Sequence, residues 1–144
     1  MFFHSMTMPT NLDTNILVDV FERRQPYYLD SANIIEQGLL GKYTLVISPL
    51  TIINTLYIAR KSLGGDVVRE KIIGILQFCE ISPMTTSEMM SALSMPNKDV
   101  EDNLQYCSAE SAGCEIIITR NPKDFLGNNI RICLPRDFII EYFQ

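Results

Sequence analysis

Histidine and tryptophan are nearly missing from this 144-residue chain, which has one histidine, His4, and no tryptophan. A single histidine near the chain start argues strongly against a Ser-His-Asp triad, a Cys-His pair or a multi-histidine metal site. The four cysteines include no Cys-x-x-Cys pair, so their spacing does not indicate a zinc site. Any catalysis must therefore come from carboxylates, hydroxyls, amides or lysines.

Long hydrophobic runs and an excess of basic residues are also missing. No window reaches about 18 apolar residues, so no segment is predicted to span a membrane. The chain has 12 Lys and Arg against 17 Asp and Glu, which gives a net charge of −5. This balance argues against a broad basic surface for nucleic acid. It permits an enzyme whose acidic site is bridged to phosphate by a cation.

The start of the chain and its cysteines predict a compartment. The segment MFFHSMTMPTNL has neither the basic residues nor the apolar stretch of a secretory signal. Disulfides persist mainly in oxidising compartments. We therefore expect a cytoplasmic protein with reduced and mostly buried thiols.

The order of the predicted elements indicates the fold class. The length predicts one domain over residues 1–144, with residues 1–7 as an N-terminal extension. Strands are predicted to end at Leu12 and to cover 43–47, 79–81, 115–119 and 130–134. A turn or short helix is predicted near residue 15, and helices over 26–40, 49–62, 66–77, 85–93, 99–112 and 135–144. Alternating strands and helices predict an α/β sandwich on a mainly parallel sheet of four to five strands.

Local signals define several helix ends. Ser48 followed by proline is typical of an N-cap with proline at the first helical position. Thr85-x-x-Glu88 matches a capping box. Gly41 and Gly113 are predicted to end helices.

Acidic and amide side chains follow the predicted strands. Because ligands of a parallel sheet bind outside the carboxyl ends of its strands, we expect these groups to meet at one edge. Carboxylates gathered without a histidine or lysine partner repel one another unless a hard cation such as Mg²⁺ or Mn²⁺ lies between them. A metal held this way suits phosphoryl chemistry. The groups are Asp13, Thr14 and Asn15; Thr119, Arg120, Asn121 and Asp124; and Asp99, Glu101 and Asp102.

Each acid also has a purely local interpretation. Asp13 and Asp99 suit helix or turn caps, and a capping role does not exclude a role in a site. Glu101 and Asp102 suit the first turn of a helix, where acids complement the helix dipole. Asp124 suits a solvated loop.

Asn54 is the polar residue that a local interpretation explains least well. It lies in the apolar helix LTIINTLYI, on the same face as Leu50, Tyr57 and Ile58. A buried amide needs hydrogen-bond partners. Asn54 therefore either faces a polar site or bonds a neighbouring backbone.

Three segments together resemble the PIN domain family, and in particular its VapC-like members. LDTNIL (12–17) resembles the opening motif of that family, and SPLTIINTLYIARK (48–61) lies where the family has its second acidic helix. KDVEDNLQYCSAESAGCEIIITRNPKDF (98–125) resembles the long C-terminal motif. The resemblance covers residues 8–134, and the last motif is the most specific.

The resemblance implies a three-layer α/β/α fold and a metal-dependent endoribonuclease, often the toxin of a type II toxin–antitoxin pair. By position it makes Asp13, Asp102 and Asp124 the metal-site acids, with Asn54 where the family usually has glutamate. Mg²⁺ or Mn²⁺ would activate water against an RNA phosphodiester. Asp99 is a further candidate ligand, and the supporting residues are Thr14, Asn15, Glu101, Thr119 and Asn121.

Basic residues near the acids and the family resemblance together predict contacts and partners. Arg120 and Lys123 flank the acids and are predicted to contact RNA phosphate, with Arg60 and Lys61 next; the alternative for all four is solvated surface charge. Family members commonly dimerise and bind an antitoxin, which predicts a homodimer and an antitoxin-binding surface. The candidates for that surface, or alternatively for ordinary core, are Tyr27, Tyr28, Leu39, Leu56 and Tyr57.

Two other function classes stay open at this point. A non-catalytic PIN-like module with a weakened metal site would bind RNA or protein. A receiver-type phosphoacceptor domain fits poorly, because no adjacent acid pair closes the first strand and no lysine closes the last. Nucleotide enzymes are disfavoured because neither GxGxxG nor GxxxxGK[ST] is present.

Overall fold

A computed structural model describes residues 8–143 of the chain. The predicted N-terminal extension, His4 and the last residue of the predicted closing helix lie outside the described residues. Five strands are present: β1 (Pro9–Leu12), β2 (Thr44–Ile47), β3 (Cys79–Ile81), β4 (Ile116–Ile118) and β5 (Arg131–Cys133). The helices are α1 (Thr14–Phe21), α2 (Tyr28–Leu39), α3 (Pro49–Leu63), α4 (Gly65–Leu76), α5 (Thr86–Ser94), α6 (Val100–Ser111) and α7 (Pro135–Phe143), with a 3₁₀ turn at Pro122–Asp124.

The sheet is entirely parallel, with the strand order β3-β2-β1-β4-β5. Alternate strand residues face opposite sides, so Leu45 and Ile47 join one core cluster while Val46 joins another. The first cluster packs with α1, α2 and α7, and the second with α6. Helices on both faces of the sheet confirm the predicted three-layer α/β/α architecture.

The signals for helix ends are confirmed. The Ser48 hydroxyl accepts the Thr51 amide at 3.1 Å and caps α3. The Glu88 carboxylate accepts the Thr85 amide at 2.7 Å in the capping box of α5. Gly113 follows α6 with φ of +75°, a left-handed conformation that glycine adopts without steric cost.

Element bounds differ from the sequence predictions by a few residues. α2 begins at Tyr28, two residues after Pro26, and the turn or short helix expected near Asn15 is a regular helix of eight residues. The four cysteines are free, and Cys107, Cys114 and Cys133 are buried, as predicted. Within residues 8–143, no helix is long and apolar enough to cross a membrane.

The first strand departs from the apolar pattern expected of a central strand. Pro9 begins β1, a position that a proline tolerates although β1 lies in the middle of the sheet. Thr10 and Asn11 follow it and are fully buried. The Thr10 hydroxyl donates to the Met8 carbonyl at 3.1 Å. A partner for Asn11 comes from α6, as described below.

Candidate active site

The strand order reverses between β1 and β4. From β1 the chain continues outward to β2 and β3 on one side, whereas β4 and β5 lie on the other side. Such a switch point opens a crevice at the carboxyl ends of the two strands. Asp13 follows β1 there and Thr119 follows β4, which places two of the predicted site residues side by side.

Asp13 is held by three hydrogen bonds. Its Oδ1 accepts the Thr14 amide at 2.8 Å, which makes Asp13 the N-cap of α1. Its Oδ2 accepts the Thr119 hydroxyl at 2.8 Å and the Asn15 Nδ2 at 3.2 Å. Burial raises the pKa of Asp13, although the bonds from Thr119 and Thr14 act against that rise. The carboxylate is therefore oriented by neutral donors, and among residues 8–143 it forms no ion pair with a basic side chain.

The α6 acids converge on the same crevice. Asp99 is the N-cap of α6 and accepts the Asp102 amide at 3.1 Å. Burial, followed by the negative charge of Asp99, raises the pKa of Asp102 to about 7, and Asp124 and Asp13 add to the effect. Asp124 and Glu101 likewise raise the pKa of Asp13. The predicted acids are therefore close enough for the charge of each to affect the pKa of its neighbours.

Asn54 faces this cluster and not the protein core. It is half-buried, and its Nδ2 donates to Glu101 Oε1 at 2.8 Å. Together with Asp13 it lines a groove of about 230 Å³ between α1 and α3. With its amide nitrogen bonded to Glu101, Asn54 has its carbonyl oxygen available as a neutral ligand. Glu101, predicted only as a supporting residue, brings a negative charge next to Asn54.

A buried hydrogen-bond chain under the site was not identified from the sequence. The Gln105 Nε2 on α6 donates to the Asn11 Oδ1 in β1 at 2.9 Å. The Gln105 Oε1 accepts the Ser48 hydroxyl at 2.8 Å and the Thr51 hydroxyl at 3.3 Å. This network ties β1, α3 and α6 together below the acids. The signal in the sequence was the polar pair Thr10–Asn11 in a short strand for which an apolar run is expected.

Arg120 has partners that the sequence prediction did not foresee. Its Nε lies 2.6 Å from Asp19 Oδ2 and its Nη2 3.2 Å from Asp19 Oδ1, and Asp19 is fully buried. The guanidinium also lies 4.1 Å from the centre of the Tyr27 ring. This bidentate ion pair links α1 to the end of β4 and indicates a structural role for Arg120. Contact of Arg120 with phosphate stays a prediction.

The remaining predicted residues divide between the crevice and the surface around it. Asn15 bridges the site, since its Oδ1 accepts the Arg120 amide at 3.2 Å. Asn121 is exposed and lines a neighbouring cavity with Tyr27 and Arg136. Three of the predicted RNA-contacting residues are exposed and do not line the groove beside Asp13: Lys123, Arg60 and Lys61. Arg60 and Lys61 lie over the Tyr57 ring.

The donor set suits a hard divalent cation. All the converging groups are carboxylate, amide or hydroxyl oxygens, which Mg²⁺ and Mn²⁺ prefer to nitrogen or sulfur. Burial, and to a lesser degree the neighbouring acids, raises the pKa values of Asp13 and Asp102, and a cation would offset this cost of ionising them. Within residues 8–143, no three His, Cys, Asp or Glu side chains already lie close enough to form a ready-made metal site. The chemistry of the oxygens fits the cation, and the acids would have to draw closer to hold it.

Comparison with known proteins identifies the family. A family model described as the PIN domain matches residues 10–123. The chain belongs to the PIN domain family. Ribonuclease VapC1 of Aquifex aeolicus strain VF5 is 28% identical over 132 residues, which cover 88% of this chain and 90% of that protein. The VapC-like resemblance of the sequence is thereby confirmed.

Solved structures of PIN proteins share the fold. A toxin–antitoxin complex from Klebsiella pneumoniae matches with a TM-score of 0.67 at 22% identity, covering 88% of this chain and 97% of that chain. VapBC-1 from nontypeable Haemophilus influenzae matches with a TM-score of 0.65 at 20% identity, covering 90% and 99%. At these identities the likeness shows the fold alone.

Proposed function

We propose that this PIN domain protein is a metal-dependent endoribonuclease. One observation carries the proposal: Asp13 lines an open groove at the switch point of the sheet together with Glu101 and Asn54, and its carboxylate is oriented by neutral donors. Membership of the PIN family and the similarity to a ribonuclease support the same function. Carboxylates in this arrangement favour a cation between them, and a cation at an open crevice favours a phosphodiester substrate.

The residues of the chain have distinct roles in this proposal. Asp13, Asp102 and Asp124 would hold Mg²⁺ or Mn²⁺, with Asp99 and the Asn54 carbonyl as additional oxygens. Such a cation neutralises charge on phosphate and lowers the pKa of a coordinated water. Thr119, Thr14 and Asn15 keep the Asp13 carboxylate oriented toward the crevice. Orientation by neutral donors leaves the full negative charge of Asp13 for the cation.

The hydrogen bond between Asn54 and Glu101 favours one alternative. If Asn54 serves only to hold Glu101, the protein would be a PIN-like RNA- or protein-binding module with a weakened metal site. The two candidates differ in whether RNA is cut. The alternative keeps the same fold and the same crevice.

We also propose an antitoxin partner and a homodimer. Several structures that match this chain are toxin–antitoxin complexes. Tyr57, Tyr27 and Leu39, predicted for a partner surface, are 57%, 40% and 39% exposed, so they are not ordinary core. Aromatic residues are enriched at surfaces that bind another chain.

The test of the proposed function is cleavage of a pool of cellular RNAs by the purified chain. We expect cleavage with Mn²⁺ or Mg²⁺, none with a chelator, and none from Asp13→Asn with either metal. An RNA-binding protein that leaves the pool intact under all conditions would support the non-catalytic alternative. Cleavage that persists in Asp13→Asn would place the activity elsewhere.

A further inference from the structure

The groove beside Asp13 has a basic residue at its far end. Its walls include Val18 from α1 and Asn54 and Ile58 from α3. Among the described residues that line it, Arg24 is the one with a basic side chain. A groove with the proposed metal acids at one end and a guanidinium at the other suits a strand that carries several phosphates.

The backbone of Arg24 is held by the end of α1. The Arg24 amide donates to the Asp19 carbonyl at 2.9 Å, and the Arg23 amide donates to the Val20 carbonyl at 3.3 Å. With φ of +52° at Arg23, these bonds form a Schellman motif. The chain direction after α1 is therefore defined, and it carries Arg24 to the groove.

The side chain of Arg24 is oriented on one edge only. Its Nε and Nη2 bond a single oxygen, Glu22 Oε1, at 2.8 and 2.7 Å. The other Glu22 oxygen accepts the Ser62 hydroxyl from α3. Two of the five guanidinium N–H groups are thus used, and three are left for a ligand. A guanidinium presented in this way matches the geometry of a phosphate oxygen pair.

The length of α1 determines which phosphate Arg24 reaches. Eight helical residues separate Asp13 from the end of α1, a distance of about 12 Å along the helix axis. Arg24 therefore lies too far along the groove to share the phosphate that Asp13 would face. We propose that Arg24 binds a flanking phosphate of the RNA strand and sets its direction through the groove. This inference rests on the proposed function.

The alternative is that Arg24 only makes a surface ion pair with Glu22. The Arg24 side chain is 43% exposed, and ion pairs at such exposure contribute little to stability. Arg24→Ala is therefore expected to fold, as thermal unfolding followed by circular dichroism would show. A purely structural ion pair would leave RNA affinity unchanged.

The experiment measures binding of a fluorescein-labelled eight-nucleotide RNA by stopped-flow anisotropy with Mn²⁺, before cleavage occurs. Arg24→Ala should weaken affinity about tenfold, since charged hydrogen bonds of this kind are lost. The slope of the logarithm of the binding constant against the logarithm of the salt concentration should fall in magnitude by about one. Arg24→Lys should recover only part of the affinity, because a lysine lacks the planar fork. The matched control is Arg69→Ala, an exposed arginine on α4 outside this groove.

Length dependence provides the second measurement. The loss caused by Arg24→Ala should be larger for the eight-nucleotide RNA than for a dinucleotide, which has no flanking phosphate. The inference would be overturned if Arg24→Ala lost equal affinity for both RNAs. It would also be overturned if the variant bound the eight-nucleotide RNA within twofold of the wild type with an unchanged salt slope. Wild-type RNA binding that depends on Arg24 without any cleavage would support the Arg24 site and contradict the proposed nuclease activity. A wild-type chain that does not bind RNA would contradict both.

Discussion

Asp13 and Asp99 each cap a helix and also belong to the acidic cluster. Their side chains accept the amides of Thr14 and Asp102, as the local interpretation predicts. The charges of neighbouring acids also act on Asp13 and, from Asp99, on Asp102, while a role of Asp13 and Asp99 in binding a cation stays a prediction. A helix N-terminus stabilises negative charge. The two interpretations that the sequence left open are thus compatible in both residues.

Arg120 illustrates a residue whose main contact was not visible in the sequence. We predict that Arg120→Ala lowers the free energy of unfolding by about 3 kcal/mol, because it leaves the fully buried Asp19 carboxylate without its partner. Urea unfolding measures the loss. Asp19→Asn in the same background should restore part of it. A loss below about 0.5 kcal/mol, as for an ordinary surface residue, would contradict a stabilising role of the ion pair between Arg120 and Asp19.

Asn54 is the residue that we expect to stand where the family usually has glutamate. We predict that Asn54→Glu lowers thermal stability without metal, since a carboxylate replaces the amide that donates to Glu101. Two carboxylates in contact cost about 1 kcal/mol or more. With Mn²⁺ the variant should bind the cation more tightly than the wild type, because the crevice gains a charge.

Calorimetric titration of Mn²⁺ measures the Asn54→Glu affinity. The control is Ile53→Glu, which adds the same charge at the neighbouring, exposed position of α3. The metal-site role of Asn54 would be wrong if Mn²⁺ affinity stayed the same while the melting temperature collapsed.

At the scale of elements, helix ends were predicted well because their signals are local. Ser48, Glu88 and Gly113 each act within a few residues of their own position. The end of β1 at Leu12 was predicted correctly, but the burial of Asn11 was not, because its partner Gln105 lies 94 residues further along the chain. Local propensity carries no information about a partner at that separation.

Glu88 joins two elements, and its carboxylate gives a pH dependence. Hydrogen bonds from Thr85 and Ser111 lower its pKa to about 2. Between pH 4.5 and 2 the unfolded chain binds a proton that the folded chain does not, so stability falls as the pH falls through this window. We predict that Glu88→Gln is less stable at pH 7 and loses less stability across the same window.

Chemical unfolding at a series of pH values between 7 and 2 measures this difference. Glu70→Gln, an exposed acid on α4, serves as the control and should parallel the wild type. Parallel curves for Glu88→Gln and the wild type would show that the carboxylate does not link α5 to α6.

For the whole molecule, the alternation of strands and helices predicted the layers, and the acids after the strands predicted the crevice. The parallel sheet brings the carboxyl ends of β1 and β4 together, so Asp13 and Thr119 meet as expected. The pairings of Arg120 with Asp19, Asn54 with Glu101 and Gln105 with Asn11 could not be predicted. They depend on how helices rotate against the sheet, which the order of elements does not define.

The central claim is that the crevice at the switch point binds a divalent cation through Asp13. Calorimetric titration of Mn²⁺ into the wild type and Asp13→Asn tests it most directly. We predict saturable binding by the wild type and at least tenfold weaker binding by the variant, which should remain folded without metal because burial disfavours the charge that it removes. Equal Mn²⁺ affinity in both proteins, or no saturable binding by the wild type, would contradict the account.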